Sequence, residues 1–102
     1  MDNATGVAGV IEIAGKFAGS EPKPKRSIIF LAVTLEESGL LGSKYYVAHP
    51  SIPMDKTVAV INMDAMSVAG RSKDMTVVGL GNSELEVILA DAVKPQGRVL
   101  SM

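Results

Sequence analysis

Residues 34–46, TLEESGLLGSKYY, contain the junction that decides the predicted fold. They follow an apolar run at residues 28–33, and they place two adjacent carboxylates, Glu36 and Glu37, ahead of a glycine-bearing segment of helical character. Two charged groups at the end of a buried strand are costly unless a metal or a substrate uses them. We therefore expect the chemistry of the protein at this junction.

The segments on either side of the junction show helix and strand patterns. Five apolar residues fall at helical spacing ahead of it: Val7, Val10, Ile11, Ala14 and Phe17. Asn3 or Thr5 can cap the start of this first helix, and Gly19 can end it. Residues 27–33 and 57–62 are apolar without alternation, which predicts strands covered on both faces, as in a parallel sheet between helices.

The remaining segments complete an alternating order. Residues 40–48 predict a short helix that Pro50 ends, residues 65–74 a loop, and residues 75–80 a third strand. A further helix follows, and the sequence predicts a strand from Arg98. The order helix, strand, helix, strand, strand, helix, strand favours an α/β layered fold.

The last helix carries its own start and stop signals. Ser83 and Glu86 have the spacing of a capping box, in which each side chain bonds the backbone N–H of the other residue. Pro95 and Gly97 end the helix before the strand predicted from Arg98. These signals make this helix the best-delimited element of the C-terminal third.

Composition limits the function classes. The chain has 102 residues, of which 47% are hydrophobic and 21% charged, as in a globular protein. The net charge of −1 and the lack of a basic run argue against nucleic acid or an anionic membrane as partner. No apolar stretch approaches the ~20 residues of a membrane span. Cysteine is absent, which excludes disulfides and thiolate metal sites.

We expect residues 1–102 to be a single partial domain, the central part of a catalytic domain cut at both ends. Helix-opening chemistry begins at the second residue with no strand before it, and the chain stops soon after a new strand begins. A sheet cut at both sides has free edges. Such edges could pair with a second copy, which predicts a possible homo-oligomer.

Four carboxylates are predicted to converge. In open α/β sheets, sites lie at the carboxyl ends of the strands. Glu36 and Glu37 follow one strand, Asp64 follows another, and a strand preceding Asp2 would deliver that residue to the same edge. Clustered carboxylates raise one another's pKa unless a cation neutralises them. One or two divalent metals would do so, and a carboxylate that is not a ligand could take a proton from water.

Three blocks of sequence resemble the co-catalytic di-zinc aminopeptidases of metallopeptidase family 28, which include bacterial leucyl aminopeptidases and aminopeptidase Y. The blocks are DNATGVAGV at 2–10, TLEESGLLGSKYY at 34–46 and VINMDAM at 60–66, and GLGNSELE at 79–86 extends the resemblance. The resemblance implies a three-layer α/β/α sandwich with a mostly parallel mixed sheet. It also implies removal of N-terminal residues from peptide substrates, and export to the periplasm or outside the cell.

The resemblance assigns roles by position. Asp2 matches the aspartate that bridges both zinc ions, and Glu36 matches the general base that activates the bridging water. Glu37 matches a ligand of one zinc ion, and Asp64 a ligand of the other. The resemblance further implies a cis peptide bond after Asp2.

The departures from the family pattern concern the histidine ligands. The family uses two, one before the bridging aspartate and one far downstream, and neither is present in these residues. Zinc prefers mixed nitrogen and oxygen ligands, whereas an all-oxygen set suits magnesium, calcium or manganese. We expect two Zn²⁺ in the intact protein, with weak or no zinc binding and little peptidase activity in residues 1–102 alone.

Simpler interpretations exist for each residue. A glutamate pair after a strand is often a solvated loop, Asp2 can be an ordinary helix cap, and Asp64 can simply end a strand. His49 matches no ligand position of the family, so we predict a surface histidine at a helix C-terminus.

Other conspicuous side chains are predicted to be structural. Tyr45 and Tyr46 should pack at their helix, and Gly39 and Gly42 should allow tight turns and close helix packing. Three methionines are predicted to line the core or a pocket: Met63, Met66 and Met75.

Two alternatives to an aminopeptidase remain at this point. One is a carboxypeptidase or glutaminyl cyclase on the same scaffold. The other is a non-catalytic interaction domain that retains the fold, although the presence of all four expected carboxylates argues against degeneration of the site.

Overall fold

The computed structural model describes residues 2–102, which combine helices with a small parallel sheet. The chain divides into two compact units, Met1–Met66 and Ser67–Met102. The helix–strand mixture agrees with the predicted α/β class, and the three-layer sandwich stays a prediction. Among the described residues, no helix is both long and apolar enough to cross a bilayer.

The first unit begins with helix α1, Ala4–Gly19. Asn3 caps it, since the Asn3 side chain accepts a hydrogen bond from the Gly6 N–H at 3.1 Å. The helix ends at Gly19, as predicted, and the Phe17 ring lies 6.2 Å from the Phe30 ring, centroid to centroid. The last turn of α1 therefore packs against the apolar segment that leads to the Glu36–Glu37 pair.

Helix α2, Leu41–Ala48, follows that pair. The residue before it, Leu40, has a left-handed backbone with φ 61°, which starts the helix abruptly after the turn. The helix ends at His49, whose N–H donates to the Tyr45 carbonyl at 2.9 Å, and Pro50 follows. The prediction of a short helix at residues 40–48 is confirmed to within one residue. A 3-10 helix, Met54–Lys56, completes the unit's helices.

The strands predicted at residues 27–33 and 57–62 are wrong in this structure, because neither segment forms a strand. Their side chains are also far from buried: Ile28 is 42% exposed, Val58 71% and Ile61 81%. A continuous apolar run suits a strand only where neighbouring strands pair with its backbone and helices cover both faces. The described residues of this unit supply no such partners, so the segments lack the ladder that their sequence favours.

The second unit contains two short parallel strands around a helix. Strand β1, Asp74–Thr76, pairs with strand β2, Val99–Ser101, in the register Asp74 to Val99. The predicted strand at 75–80 is therefore shorter than expected, because Gly79 and Gly81, with φ of 82° and 101°, turn the chain away. The strand predicted from Arg98 is confirmed.

Helix α3, Leu85–Val93, connects these strands. One half of the predicted capping box is present, since the Glu86 carboxylate accepts from the Ser83 N–H at 3.1 Å. The Ser83 hydroxyl accepts from the Leu85 N–H at 3.0 Å rather than from the Glu86 N–H. A 3-10 turn, Lys94–Gln96, leads into β2. Val93 is 2% exposed, and no other hydrophobic side chain of the described residues is as fully buried.

Candidate active site

The Glu36–Glu37 pair lies in a tight turn that closes onto the start of α2. The Glu36 carbonyl accepts from the N–H groups of Gly39 and Leu40, at 3.0 and 2.8 Å. The Gly42 N–H donates to the Thr34 carbonyl at 3.1 Å and brings the two ends of the turn together. The backbone thus holds both glutamates in place although their side chains are exposed.

Two glycines make this turn possible, as the sequence predicted. Gly39 has φ 98°, a conformation that residues with a side chain rarely adopt. A Cβ on Gly42 would overlap the Thr34 carbonyl oxygen and would lie 2.8 Å from the Thr34 nitrogen. Gly42 therefore serves close packing of α2 against the residues just before the glutamates.

A second set of contacts joins the N-terminus of α1 to residues 63–66. The Asn3 side-chain amide donates to the Met63 carbonyl at 3.0 Å, and its oxygen accepts from the Ala65 N–H at 3.3 Å. The Thr5 hydroxyl accepts from the Met66 N–H at 3.1 Å. These bonds bring the residue after Asp2 next to the residues on both sides of Asp64.

Gly6 allows this approach. A Cβ on Gly6 would overlap the Met63 carbonyl oxygen and would lie 2.6 Å from the Asn3 side-chain nitrogen. Gly6 is also the buried residue of α1. Sequence reasoning found the capping role of Asn3, but it missed the long-range role of Asn3, Thr5 and Gly6 because their partners lie about sixty residues away.

Left-handed backbone flanks the candidate residues. Leu35, directly before Glu36, has φ 58°, and Ala65, directly after Asp64, has φ 47°. Such conformations cost about 1–3 kcal/mol for residues with a side chain and cluster at functional sites. No signal in the sequence marks them, because leucine and alanine have no preference for this region.

The other three predicted residues act electrostatically on Glu36. The pKa of Glu36 is raised, and the Glu37 carboxylate is the largest cause. Partial desolvation and a hydrogen bond with Glu37 come next, followed by the charges of Asp2 and Asp64. Glu36 therefore lies in an electrostatic neighbourhood to which the other three carboxylates all contribute.

The same neighbourhood does not form a closed ligand cage. Among residues 2–102, no three carboxylate or histidine side chains lie close enough to hold one metal ion together. Their oxygen donors fit the chemistry of a divalent cation, and their mutual repulsion would be relieved by one. The nitrogen donors that zinc prefers are not supplied by the described residues of this neighbourhood.

His49 packs against Tyr45 at the C-terminal end of α2. Its ring stacks on Tyr45 with centroids 4.5 Å apart, and its Nδ1 lies 3.3 Å from the Tyr45 carbonyl oxygen at the end of α2. Both side chains are exposed, so the predictions of a surface histidine and of a packing role for Tyr45 agree with the structure. The hydroxyl of Tyr46 lies 3.3 Å from the Ser51 hydroxyl.

The peptide bond between Asp2 and Asn3 is cis, as the sequence resemblance implies. The methionine predictions are met in part: Met63 is half-buried beside Gly6 and Gly9, whereas Met66 is 40% exposed. Met75 is half-buried in strand β1 of the other unit.

Carboxylates are common ligands and proton acceptors in metal-dependent hydrolases. The chain belongs to peptidase family M28, whose sequence model, described as "Peptidase family M28", matches residues 1–102. Peptidases of this family are typically zinc-dependent.

A curated relative is the "Vacuolar membrane protease" of Sclerotinia sclerotiorum. It is 27% identical over 100 residues, a stretch that includes 98% of this chain and 9% of the relative. The chain therefore spans about a tenth of the length of that relative. No solved structure matches the chain at a comparable level of significance.

Proposed function

We propose that residues 1–102 carry part of the active site of a zinc-dependent aminopeptidase. In this proposal Asp2, Glu37 and Asp64 would hold the metal, and Glu36 would be the general base. The observation that supports it most is the raised pKa of Glu36, whose causes include all three of the other residues. Carboxylates from three separate sequence blocks thus act on one glutamate.

The proposed reaction is hydrolysis of the first peptide bond of a substrate. When bound, zinc polarises the scissile carbonyl and acidifies water. Glu36 accepts a proton from the attacking water and passes it to the leaving amine, a role for which a carboxylate with a raised pKa is suited. The turn at residues 34–42 holds this carboxylate beside that of Glu37.

Family membership supports a peptidase, and the specificity for N-termini is the finer part of the proposal. It is supported by the three sequence blocks that resemble the di-zinc aminopeptidases. We also propose that the protein acts outside the cytosol. The word "vacuolar" in the name of the Sclerotinia relative supports that setting, as does the export common among bacterial members of the resembled family.

The test is a Glu36→Gln substitution in the full-length protein, assayed with leucine p-nitroanilide. We expect the turnover number to fall about 10²–10⁴-fold, the contribution of a general base. Zinc content, measured by atomic emission, should stay near that of the wild type because Glu36 is not a ligand. The matched control is Glu12→Gln, an exposed glutamate on α1 that is not among the causes of the raised pKa.

A second substrate separates the alternatives. N-acetyl-leucine p-nitroanilide lacks the free amine, so an aminopeptidase should cleave it far more slowly than the parent compound. Cleavage of peptides only from the C-terminus would point to a carboxypeptidase, and cyclisation of an N-terminal glutamine would point to a glutaminyl cyclase. Full activity in Glu36→Gln would refute the assignment of the base.

A further inference from the structure

The Asn3 side chain has contacts on both sides of Asp64. Its amide nitrogen donates to the carbonyl of Met63, the residue before Asp64, at 3.0 Å. Its oxygen accepts from the N–H of Ala65, the residue after Asp64, at 3.3 Å. One side chain therefore hydrogen-bonds to the backbone of the residues immediately before and immediately after Asp64.

The same side chain is also fixed to α1. Its oxygen accepts from the Gly6 N–H at 3.1 Å, in the usual manner of a helix cap. Asn3 directly follows Asp2 in the chain. Asn3 thus connects the start of α1, where Asp2 lies, to the segment that carries Asp64.

We propose that Asn3 is a positioning residue that sets the placement of Asp64 relative to Asp2 for metal binding. The part that concerns metal rests on the proposed function. Asn3 itself is neither a ligand nor a base in this proposal. It acts through the backbone on either side of Asp64.

The chemistry of asparagine distinguishes this role from simple capping. Serine, threonine and aspartate cap helices about as well as asparagine, because a cap needs only an acceptor. The contact with the Met63 carbonyl needs a donor as well, which an aspartate carboxylate lacks. A serine or threonine hydroxyl is a single atom on a shorter side chain, whereas the amide makes the contacts with Met63, Ala65 and Gly6 from two separate atoms.

Two neighbours of Asn3 reinforce the connection. The Thr5 hydroxyl accepts from the Met66 N–H at 3.1 Å, which adds a third bond to the same segment. Gly6 has no Cβ, and one there would overlap the Met63 carbonyl oxygen. The first turn of α1 is therefore shaped to lie directly against residues 63–66.

The first arm of the test is hydrogen–deuterium exchange on the full-length protein without zinc. Asn3→Ser keeps an acceptor for the Gly6 N–H, and it replaces the amide by one hydroxyl on a shorter side chain, which cannot reach Met63 and Ala65 together. We expect faster exchange at the amides of Ala65 and Met66, with α1 still protected. Unchanged exchange at both amides would overturn the positioning role whether or not the protein binds zinc.

The second arm is isothermal titration of the same variants with Zn²⁺ alone. Loss of a side chain that orients a ligand typically weakens metal affinity about 10- to 100-fold, and we expect a loss of that size in Asn3→Ser. The matched control is Ser83→Ala, which removes the capping hydroxyl of α3 in the other unit and should leave zinc affinity unchanged. Equal affinities in wild type and Asn3→Ser would refute the inference.

The two arms separate failure of this inference from failure of the proposed function. A wild-type protein that binds no zinc would refute the metal centre, and the exchange arm would still decide whether Asn3 holds residues 63–66. Weaker zinc binding in Asn3→Ser together with an unchanged melting temperature would support positioning rather than general stability. A loss of zinc affinity as large in Ser83→Ala would count against it.

Discussion

Gly42 lies directly against Thr34: its N–H donates to the Thr34 carbonyl at 3.1 Å, and a Cβ in its place would overlap that carbonyl oxygen. The atoms in conflict belong to the backbone, so no side-chain rotation can relieve the overlap. This contact closes the turn that contains Glu36 and Glu37. The spacing of the two glutamates from α2 therefore depends on a residue without a side chain.

Gly42→Ala should destabilise the full-length protein by about 1–3 kcal/mol, the usual cost of forcing extra atoms into a packed site. It should also lower peptidase activity, since the turn must open to accept the methyl group. The measurement is urea denaturation followed by circular dichroism, with the activity assay alongside.

The control for this prediction is Gly15→Ala in the middle of α1. A Cβ on Gly15 would meet nothing within 4 Å, so this substitution should stabilise the protein by about 0.5–1 kcal/mol through helix propensity. A stabilising effect of Gly42→Ala as well would show that the turn is not as tightly closed as the structure indicates.

Glu36 should make the metal-free protein less stable at neutral pH. Its pKa is raised, first by the Glu37 charge, so the folded state favours the protonated carboxyl. The stability linked to Glu36 is therefore complete below the ordinary pKa of glutamate and is lost as the pH rises through the raised pKa. Glu36→Gln should raise the melting temperature at about pH 7 and change it little at about pH 4.

Salt provides the control for that effect. The Glu36 side chain is exposed, so about 1 M salt, with a Debye length of about 3 Å, should screen most of the repulsion between Glu36 and the neighbouring carboxylates. The rise in melting temperature caused by Glu36→Gln should therefore be smaller at high salt. Saturating Zn²⁺ should reduce it too by neutralising the cluster. A Glu36→Gln variant that melts below the wild type at neutral pH would contradict the repulsion.

Glu86 should have the opposite pH dependence. Its carboxylate accepts from the N–H groups of Gly81, Asn82 and Ser83 at 2.7–3.1 Å, and the bond from Gly81 is the largest cause of its lowered pKa. The stabilisation is present above the ordinary pKa of glutamate and is lost as the pH falls through the lowered value. Glu86→Gln should therefore lower the melting temperature at neutral pH, and the deficit should shrink on acidification.

The neighbouring Glu84 is the matched control for Glu86. It is exposed and lies on the same turn, so Glu84→Gln should leave both the melting temperature and its pH profile close to the wild type. Thermal melts followed by circular dichroism between about pH 3 and 7 cover the range in which a glutamate carboxyl titrates. Identical profiles for Glu86→Gln and Glu84→Gln would show that the three N–H bonds add nothing to stability.

Residues 1–102 produced alone should bind zinc weakly. The candidate ligands Asp2, Glu37 and Asp64 supply only oxygen, and no three such side chains among the described residues lie close enough to share one ion. Titration calorimetry should give weak binding or none for Zn²⁺. Manganese should compete well with Zn²⁺ for these carboxylates, because Mn²⁺ accepts all-oxygen sites. Two zinc sites of sub-micromolar affinity would contradict this prediction.

Local features were predictable wherever the signal lay within a few residues. The limits of α1 and α2, the Asn3 cap, the Glu86 half of the capping box and the glycines of the turn all follow from short-range hydrogen bonding and sterics. The strands at 27–33 and 57–62 were not confirmed, because a strand needs a partner that its own residues cannot specify. Residues 75–80 formed a shorter strand for the same reason, with glycine turns cutting the ladder.

The sequence by itself determined the acidic residues, the helix boundaries and the family, because these depend on residue type and spacing along the chain. Only the tertiary structure decided that the Asn3 side chain grips the backbone around Asp64, and that Leu35 and Ala65 adopt left-handed backbone beside the carboxylates. It also decided that the charges of Asp2 and Asp64 act on Glu36. The physical reason is distance: these effects join residues far apart in the chain, and they exist only once folding brings them together.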